Sequence, residues 1–141
     1  MRTIRKPYKH YQNSLGQRYC TLRYLADRKM LNIIWKGTAT EESIEEVEKG
    51  ILQMLRQFPC RSIINDVQDF FQAPAAYLAY LTWSEWDKNV KDASAVRCIA
   101  HVLPPDAPMP ADKKRSPGSL EIRYFTHLMD AMEWLNQQKL T

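Results

Sequence analysis

Three side chains that can exchange protons follow strand-like runs of this sequence. Asp66 and Asp69 come after the apolar run Ser62-Ile63-Ile64-Asn65, and His101 lies near the end of the run from Val96 to Leu103. If both runs are parallel strands, their carboxyl ends meet at one rim of a sheet, where α/β proteins commonly bind ligands. A carboxylate and an imidazole can do acid-base chemistry there when both reach one substrate atom.

The same residues have a simpler explanation, because aspartate and asparagine side chains often cap helices and satisfy loop backbone. No nucleophile, oxyanion donor or set of metal ligands accompanies them in the sequence. We therefore predict no catalytic residue, metal or cofactor. Asp66, Asp69 and His101 stay as candidates for contact with a ligand or partner, and an enzyme with a site at the Asp66/His101 rim is the third hypothesis.

A second group of candidates lies on a predicted helix from about Pro74 to Asn89. Two apolar stripes recur along it at helical spacing: Ala76, Ala79, Trp83 and Trp86 on one side, and Tyr77, Leu78 and Leu81 on another. A surface helix needs one such stripe, so either the helix is buried widely or one stripe binds a partner. Tyr80, Trp83 and Trp86 are the candidate residues for a contact with another protein or a second copy.

Cysteine and charge patterns favour neither a metal site nor a nucleic-acid site. The three cysteines, Cys20, Cys60 and Cys98, are widely spaced and lie in or beside apolar runs, which indicates reduced, buried thiols rather than zinc ligands. The net charge of +4 comes from local clusters near the start and at Lys113-Lys114-Arg115. The Lys113-Lys114-Arg115 cluster either binds a phosphate or is part of a solvated loop, and a solvated loop is the more common role of such a run. Basic and aromatic residues do not interleave along the helices, so we expect no nucleic-acid partner.

Length and composition predict one folded domain. The chain has 141 residues, of which 45% are hydrophobic and 26% charged, values typical of globular proteins. No apolar stretch approaches the ~20 residues that span a bilayer, and the first twenty residues lack the apolar run of a secretory signal. We expect a cytoplasmic protein with a basic arm over residues 1–17, loose or docked, and a single domain over residues 18–141.

The hydrophobic pattern predicts the elements of that domain. A hairpin spans 18–26 and 30–35, and a helix begins near Thr40 and ends at Pro59, with its apolar stripe running from Ile44 to Phe58. Further strands are expected at 62–65, 96–103 and 120–125, and loops at 66–73 and 104–119. The second loop has room for one short turn of helix near Ala111 to Lys114. Thr126 is the expected cap of a last helix whose apolar stripe is Leu128, Ala131, Met132 and Leu135.

This order predicts an α/β fold with a mixed five-stranded sheet. The N-terminal hairpin is antiparallel, the remaining strands are joined by helical crossovers and therefore parallel, and three main helices cover the sheet.

The same order resembles the STAS-like superfamily, and its SpoIIAA-like branch in particular. The resemblance rests on Gly37-Thr38-Ala39-Thr40-Glu41-Glu42 after the second strand, and on the terminal strand and helix from Glu121 to Leu135 with its Ala131 and Trp134-Leu135. It covers roughly residues 18 to 138. It implies a STAS-like domain that acts by binding, as in anti-sigma-factor antagonists, where a phosphorylated serine or threonine after the third strand switches a protein partner off.

The matching stretch here, Asp66 to Phe71, holds no hydroxyl residue, so the phosphorylation switch is not expected in this chain. The leading hypothesis is a non-enzymatic regulatory domain that binds a protein partner, with a homodimer as one form. A similar fold in lipid-transfer domains of the CRAL-TRIO kind suggests the alternative, a carrier or sensor of a small apolar or amphipathic ligand.

Overall fold

The computed structural model describes residues 6–70, 95–105, 113–114 and 120–138. In this part of the chain seven strands form one sheet and two helices pack on it. The strands are β1 (Tyr8–Gln12), β2 (Arg18–Leu25), β3 (Met30–Gly37), β4 (Ser62–Phe70), β5 (Cys98–Val102), β6 (Lys113–Lys114) and β7 (Glu121–Phe125). The helices are α1 (Glu41–Gln57) and α2 (Leu128–Gln138).

The sheet is mixed, as predicted. Its strand order is β1-β2-β3-β4-β5-β7-β6, with the run from β3 through β4 and β5 to β7 parallel and the other pairs antiparallel. The predicted number of five strands is wrong, because β1 and the two-residue β6 join the sheet as well. The predicted helix over residues 74–89, the second of three in chain order, lies outside the described residues. Neither helix of the described part is long and apolar enough to cross a membrane.

The first added strand comes from the basic arm. Residues 8–12 pair with β2, and Tyr11 is buried with its ring centroid 6.2 Å from that of Tyr19. The turn to β2 is closed by Asn13, whose side-chain oxygen accepts hydrogen bonds from the amides of Leu15 and Gln17 at 2.9 and 3.0 Å. A polar segment can form an edge strand because it needs to bury only one of its faces.

Two segments predicted as loops are partly extended. Asp66 to Phe70 continue β4, because β3 is long enough to pair with them: Ile34 lies opposite Asp66, and Gly37 lies opposite Phe70. In the predicted loop 104–119, Lys113 and Lys114 pair with the start of β7 as β6, where the sequence analysis allowed a turn of helix. Both differences arise from pairing with a distant strand, which the local pattern does not encode.

Helix α1 starts where the sequence predicts. Thr40 is its N-cap, with its hydroxyl oxygen accepting a hydrogen bond from the amide of Ser43 at 3.1 Å, and Glu41 and Glu42 occupy the first turn. The cap satisfies an amide that has no partner inside the helix, and the two carboxylates favour the positive end of the helix dipole.

Replacing Thr40 by alanine is expected to lower the free energy of unfolding by about 1 kcal/mol, because the Ser43 amide loses its acceptor. Thr40→Ser keeps the hydroxyl and serves as the control, with stability close to that of the wild type. Urea unfolding of the three proteins measures the difference. Equal losses in both variants would show that the hydroxyl does not stabilise α1.

The core has two parts, one on each face of the sheet. On the α1 face, α1 buries Ile44, Val47, Ile51 and Met54 against sheet residues that include Leu22, Ile33, Ile63, Ile99 and Ile122. On the α2 face, α2 buries Ala131, Trp134 and Leu135 against Met30, Ile64, Ala100 and Val102. The predicted apolar stripe of α2 is wrong at one position: Leu128 is exposed, and Trp134 is buried in the core instead.

Candidate functional site

A row of hydrogen-bonded polar side chains crosses the sheet on the α1 face. Trp35 of β3 donates its indole N–H to Oδ1 of Asn65 on β4, at 2.9 Å. Nδ2 of Asn65 lies 3.1 Å from Nδ1 of His101 on β5. The parallel register pairs Asn65 directly with His101, so the contact follows from strand alignment. We call Trp35, Asn65 and His101 the polar row.

The donors and acceptors of the polar row determine how the Asn65 side chain is oriented. An indole N–H can only donate, so Asn65 must turn its carbonyl oxygen toward Trp35 and its amide nitrogen toward His101. The amide nitrogen is also only a donor, so Nδ1 of His101 must accept.

The polar row is removed from bulk water. Trp35, Asn65 and His101 are each at most 1% exposed. The His101 ring stacks on Tyr124 of β7 with centroids 5.4 Å apart, and Trp35 contacts Phe70 at 5.2 Å between ring centroids. Buried side chains joined by hydrogen bonds fix one arrangement of their neighbours. The row therefore holds β3, β4 and β5 in register and offers no surface to a ligand arriving from solvent.

The predicted rim residues do not converge. Asp66 follows Asn65 in β4, and successive strand residues point to opposite faces, so Asp66 lies on the α2 face and His101 on the α1 face. Oδ1 of Asp66 accepts hydrogen bonds from the backbone and side-chain N–H groups of Gln68, both at 3.1 Å. Asp69 is exposed further along β4. The structure brings His101 to Asn65 but to neither carboxylate.

The aromatic candidates Tyr80, Trp83 and Trp86 lie outside the described residues, together with the predicted helix that carries them. The backbone of Lys113 and Lys114 is described as β6, but their side chains and Arg115 are not. The predictions made for these residues therefore remain predictions.

The three cysteines are buried and free, as predicted. Burial raises the pKa of the Cys60 thiol to about 12 and that of Cys98 to about 11, and it raises the pKa of Cys20 well above its usual value. Because the thiolate is the nucleophile and the metal ligand, these thiols are unreactive near neutral pH. Within the described ranges, no three side chains of metal-binding type come together.

A cleft of about 620 Å³ opens at the amino ends of the parallel strands. It is bounded by the β2–β3 turn, by the first residues of β4, β5 and β7, and by the carboxyl end of α2. Its cationic lining residues are Arg28, Lys29, Arg61 and Arg97. We call it the amino-edge cleft.

Three of these cationic residues each come directly before a strand: Lys29 before β3, Arg61 before β4 and Arg97 before β5. The amide of Arg61 donates to the carbonyl of Lys29, the amide of Arg97 to that of Arg61, and the amide of Glu121 to that of Arg97, each at 2.8 Å. Since neighbouring strands lie about 4.8 Å apart, the three cationic residues follow one another along the sheet edge. Lys29 has a φ of 50°, a left-handed conformation that is uncommon for lysine.

Apolar side chains face solvent on the outer side of α2. Met129 is 78% exposed and Leu128 is 36% exposed. A shallow cleft of about 490 Å³ lies beside Met129 and the half-buried Met132. Residues three and four apart on a helix are neighbours, so these side chains form one patch. We call Leu128, Met129 and Met132 the outer patch of α2.

The sequence contained signals for two features that its analysis missed. The runs Ser62-Ile63-Ile64-Asn65 and Cys98-Ile99-Ala100-His101 carry their polar residue at the same offset, so aligned parallel strands place Asn65 beside His101. Similarly, Lys29 and Arg61 each immediately precede a strand predicted from the hydrophobic pattern, and Arg97 lies at the start of a third. No signal of this kind identified Trp35 as the third member of the polar row.

No family model matches this chain, and no curated protein matches it. Among solved structures it is similar to an uncharacterized protein of the DUF3478 family with a SpoIIAA-like fold, from Shewanella loihica PV-4. The match covers 96% of this chain and 98% of that chain, at 14% sequence identity and a TM-score of 0.43. The fold named for that protein is the SpoIIAA-like fold that the sequence predicts here. So distant a likeness assigns neither an activity nor a partner.

Proposed function

We propose that the chain is a non-enzymatic domain that acts by binding a protein. The observation that carries the proposal is the placement of Asp66 and His101 on opposite faces of the sheet. Acid-base catalysis by this pair would require both side chains to reach the same bound substrate. The two rim residues predicted to exchange protons serve the fold instead: His101 contacts Asn65, and Asp66 accepts hydrogen bonds from Gln68.

The outer patch of α2 is the surface proposed for protein binding. Single exposed apolar residues are ordinary, but here the exposed Leu128 and Met129 adjoin the half-buried Met132 on a helix whose other side closes the core. Methionine adapts its shape readily at contacts between proteins. The proposed partner is a second copy of the chain, because a two-fold contact needs only one self-complementary patch.

A carrier of a small apolar molecule is the alternative from the sequence. Such a protein needs an enclosed apolar pocket. In the described part of the chain, both faces of the sheet are filled by buried side chains, and the amino-edge cleft is lined mainly by polar and charged residues. These observations favour protein binding over ligand carriage.

Replacing Met129 by glutamate is expected to weaken self-association at least about tenfold, or about 1.4 kcal/mol. The carboxylate would have to lose water on entering an apolar contact. Sedimentation velocity over a concentration series measures the association constant.

Leu15→Glu is the matched control, because Leu15 is also an exposed apolar residue, 81% exposed in the turn between β1 and β2. This variant should associate as the wild type does. The proposal fails if the wild-type protein sediments as a monomer at every concentration, or if both variants lower the association constant equally.

A further inference from the structure

We propose that the amino-edge cleft binds the phosphate group of a small phosphate monoester. Among the described residues, four cationic ones line the cleft against two carboxylates, those of Asp27 and Glu121. The Glu121 carboxylate is already engaged by Arg123, with 3.2 Å between Oε2 and Nε. The lining therefore has an excess of positive charge. Guanidinium groups present planar forks of N–H donors that match the oxygens of a phosphate.

The backbone forces the cations together. Lys29, Arg61 and Arg97 come directly before neighbouring strands and follow one another through amide-carbonyl hydrogen bonds, and like charges held this close repel each other. Among the described residues, none of their side chains takes part in an ion pair or a side-chain hydrogen bond. Solvated cations are common on protein surfaces. Three cationic residues side by side repel one another, however, and a bound dianion would relieve that repulsion.

The size and the walls of the cleft favour an ester over free phosphate. Its volume of about 620 Å³ lies within the usual range for small-molecule sites, about 300–1,000 Å³, and exceeds what one phosphate fills. Leu135 and Cys98 supply an apolar wall for an organic group. The carboxyl end of α2, near Gln138, carries about −0.5 charge. The phosphate therefore belongs at the strand ends, and the organic group toward α2.

The test is a titration of ¹⁵N-labelled protein with inorganic phosphate and with glycerol 3-phosphate, at constant ionic strength maintained with chloride. We expect saturable shifts of the amides at the starts of β4 and β5, and tighter binding of the ester than of phosphate. The double variant Arg61→Gln/Arg97→Gln should bind at least about tenfold more weakly, because it loses charge-assisted hydrogen bonds.

The double variant Arg23→Gln/Arg56→Gln is the matched control. Both arginines are exposed, on β2 and α1, and their removal changes the net charge equally. This protein should bind both probes as the wild type does. Equal weakening in the two double variants, or shifts that chloride alone reproduces, would overturn the site. Equal affinity for phosphate and the ester would overturn the assignment of an ester.

Thermal unfolding without phosphate separates binding from a structural role of the arginines. Arg61→Gln/Arg97→Gln removes the repulsion between the two guanidinium groups, so without phosphate its melting temperature should equal or exceed that of the wild type. Added phosphate should raise the melting temperature of the wild type more than that of the double variant. A lower melting temperature without phosphate, together with an equal phosphate effect in both proteins, would overturn the proposal. Should the double variant not fold, Arg97→Gln alone is subjected to the same two measurements.

Discussion

Replacing Asn65 by leucine is expected to lower the free energy of unfolding by about 3 kcal/mol. Leucine fills a similar volume but leaves the indole N–H of Trp35 without its acceptor and Nδ1 of His101 without its donor. Each buried polar group that loses its partner costs about 1–3 kcal/mol, since all three side chains are at most 1% exposed. Urea unfolding followed by tryptophan fluorescence and circular dichroism measures the loss.

A double-mutant cycle distinguishes lost hydrogen bonds from poor packing. Trp35→Phe removes the indole donor, so it should cost less in the Asn65→Leu background, where the acceptor is already gone, than in the wild type. Asn32→Leu is the comparison variant, because Asn32 is only half-buried on the α2 face of β3. A loss of under about 0.5 kcal/mol for Asn65→Leu, the size of an ordinary surface substitution, would mean that the polar row does not stabilise the sheet.

Replacing Gly50 by alanine is expected to destabilise the protein by about 2 kcal/mol, the usual cost of overpacking a core. Alanine is by itself the better helix former by about 1 kcal/mol, so intrinsic propensity predicts the opposite sign. In the structure, a β-carbon at Gly50 would overlap the hydroxyl of Tyr11 and lie 3.1 Å from its Cζ. Gly50 is thus the place where β1 packs against α1.

Tyr11→Phe tests the origin of this effect. The Tyr11 hydroxyl is buried without a hydrogen-bond partner among the described residues, and burial raises the pKa of the phenol. Tyr11→Phe should therefore leave stability unchanged or raise it by up to about 1 kcal/mol, and should reduce the cost of Gly50→Ala. Lys49→Ala, on the exposed side of α1, is the control. Additive effects of Tyr11→Phe and Gly50→Ala would exclude the proposed contact.

Features formed by residues close in the chain could be predicted from the sequence. The hairpin of β2 and β3, the Thr40 cap of α1, and the buried positions Ile44 to Leu55 follow from turn residues, caps and a 3.6-residue period, all of which act over a few positions. The end of β4 and the presence of β1 could not be predicted in this way. Their polar residues are extended because β3 and β2 offer them backbone partners.

For the candidate sites, too, the residue types could be predicted from the sequence, whereas their placement in space could not. The sequence identified His101 and Asp66 as residues able to exchange protons, and it predicted three buried thiols. It did not determine that Asp66 lies on the other face of the sheet from His101. One residue along a strand reverses the direction of the side chain, so this depends on the strand continuing through Asp66.

By itself the sequence determined a mixed α/β domain, the start and end of α1, and the apolar residues of α1 that pack into the core. The tertiary structure alone decided which polar residues meet: Trp35 with Asn65, Asn65 with His101, Lys29 with Arg61, and Arg61 with Arg97. The first two pairs are separated by 30 and 36 residues. Their contacts are fixed by the register between strands, which depends on how all strands pack together rather than on any local pattern.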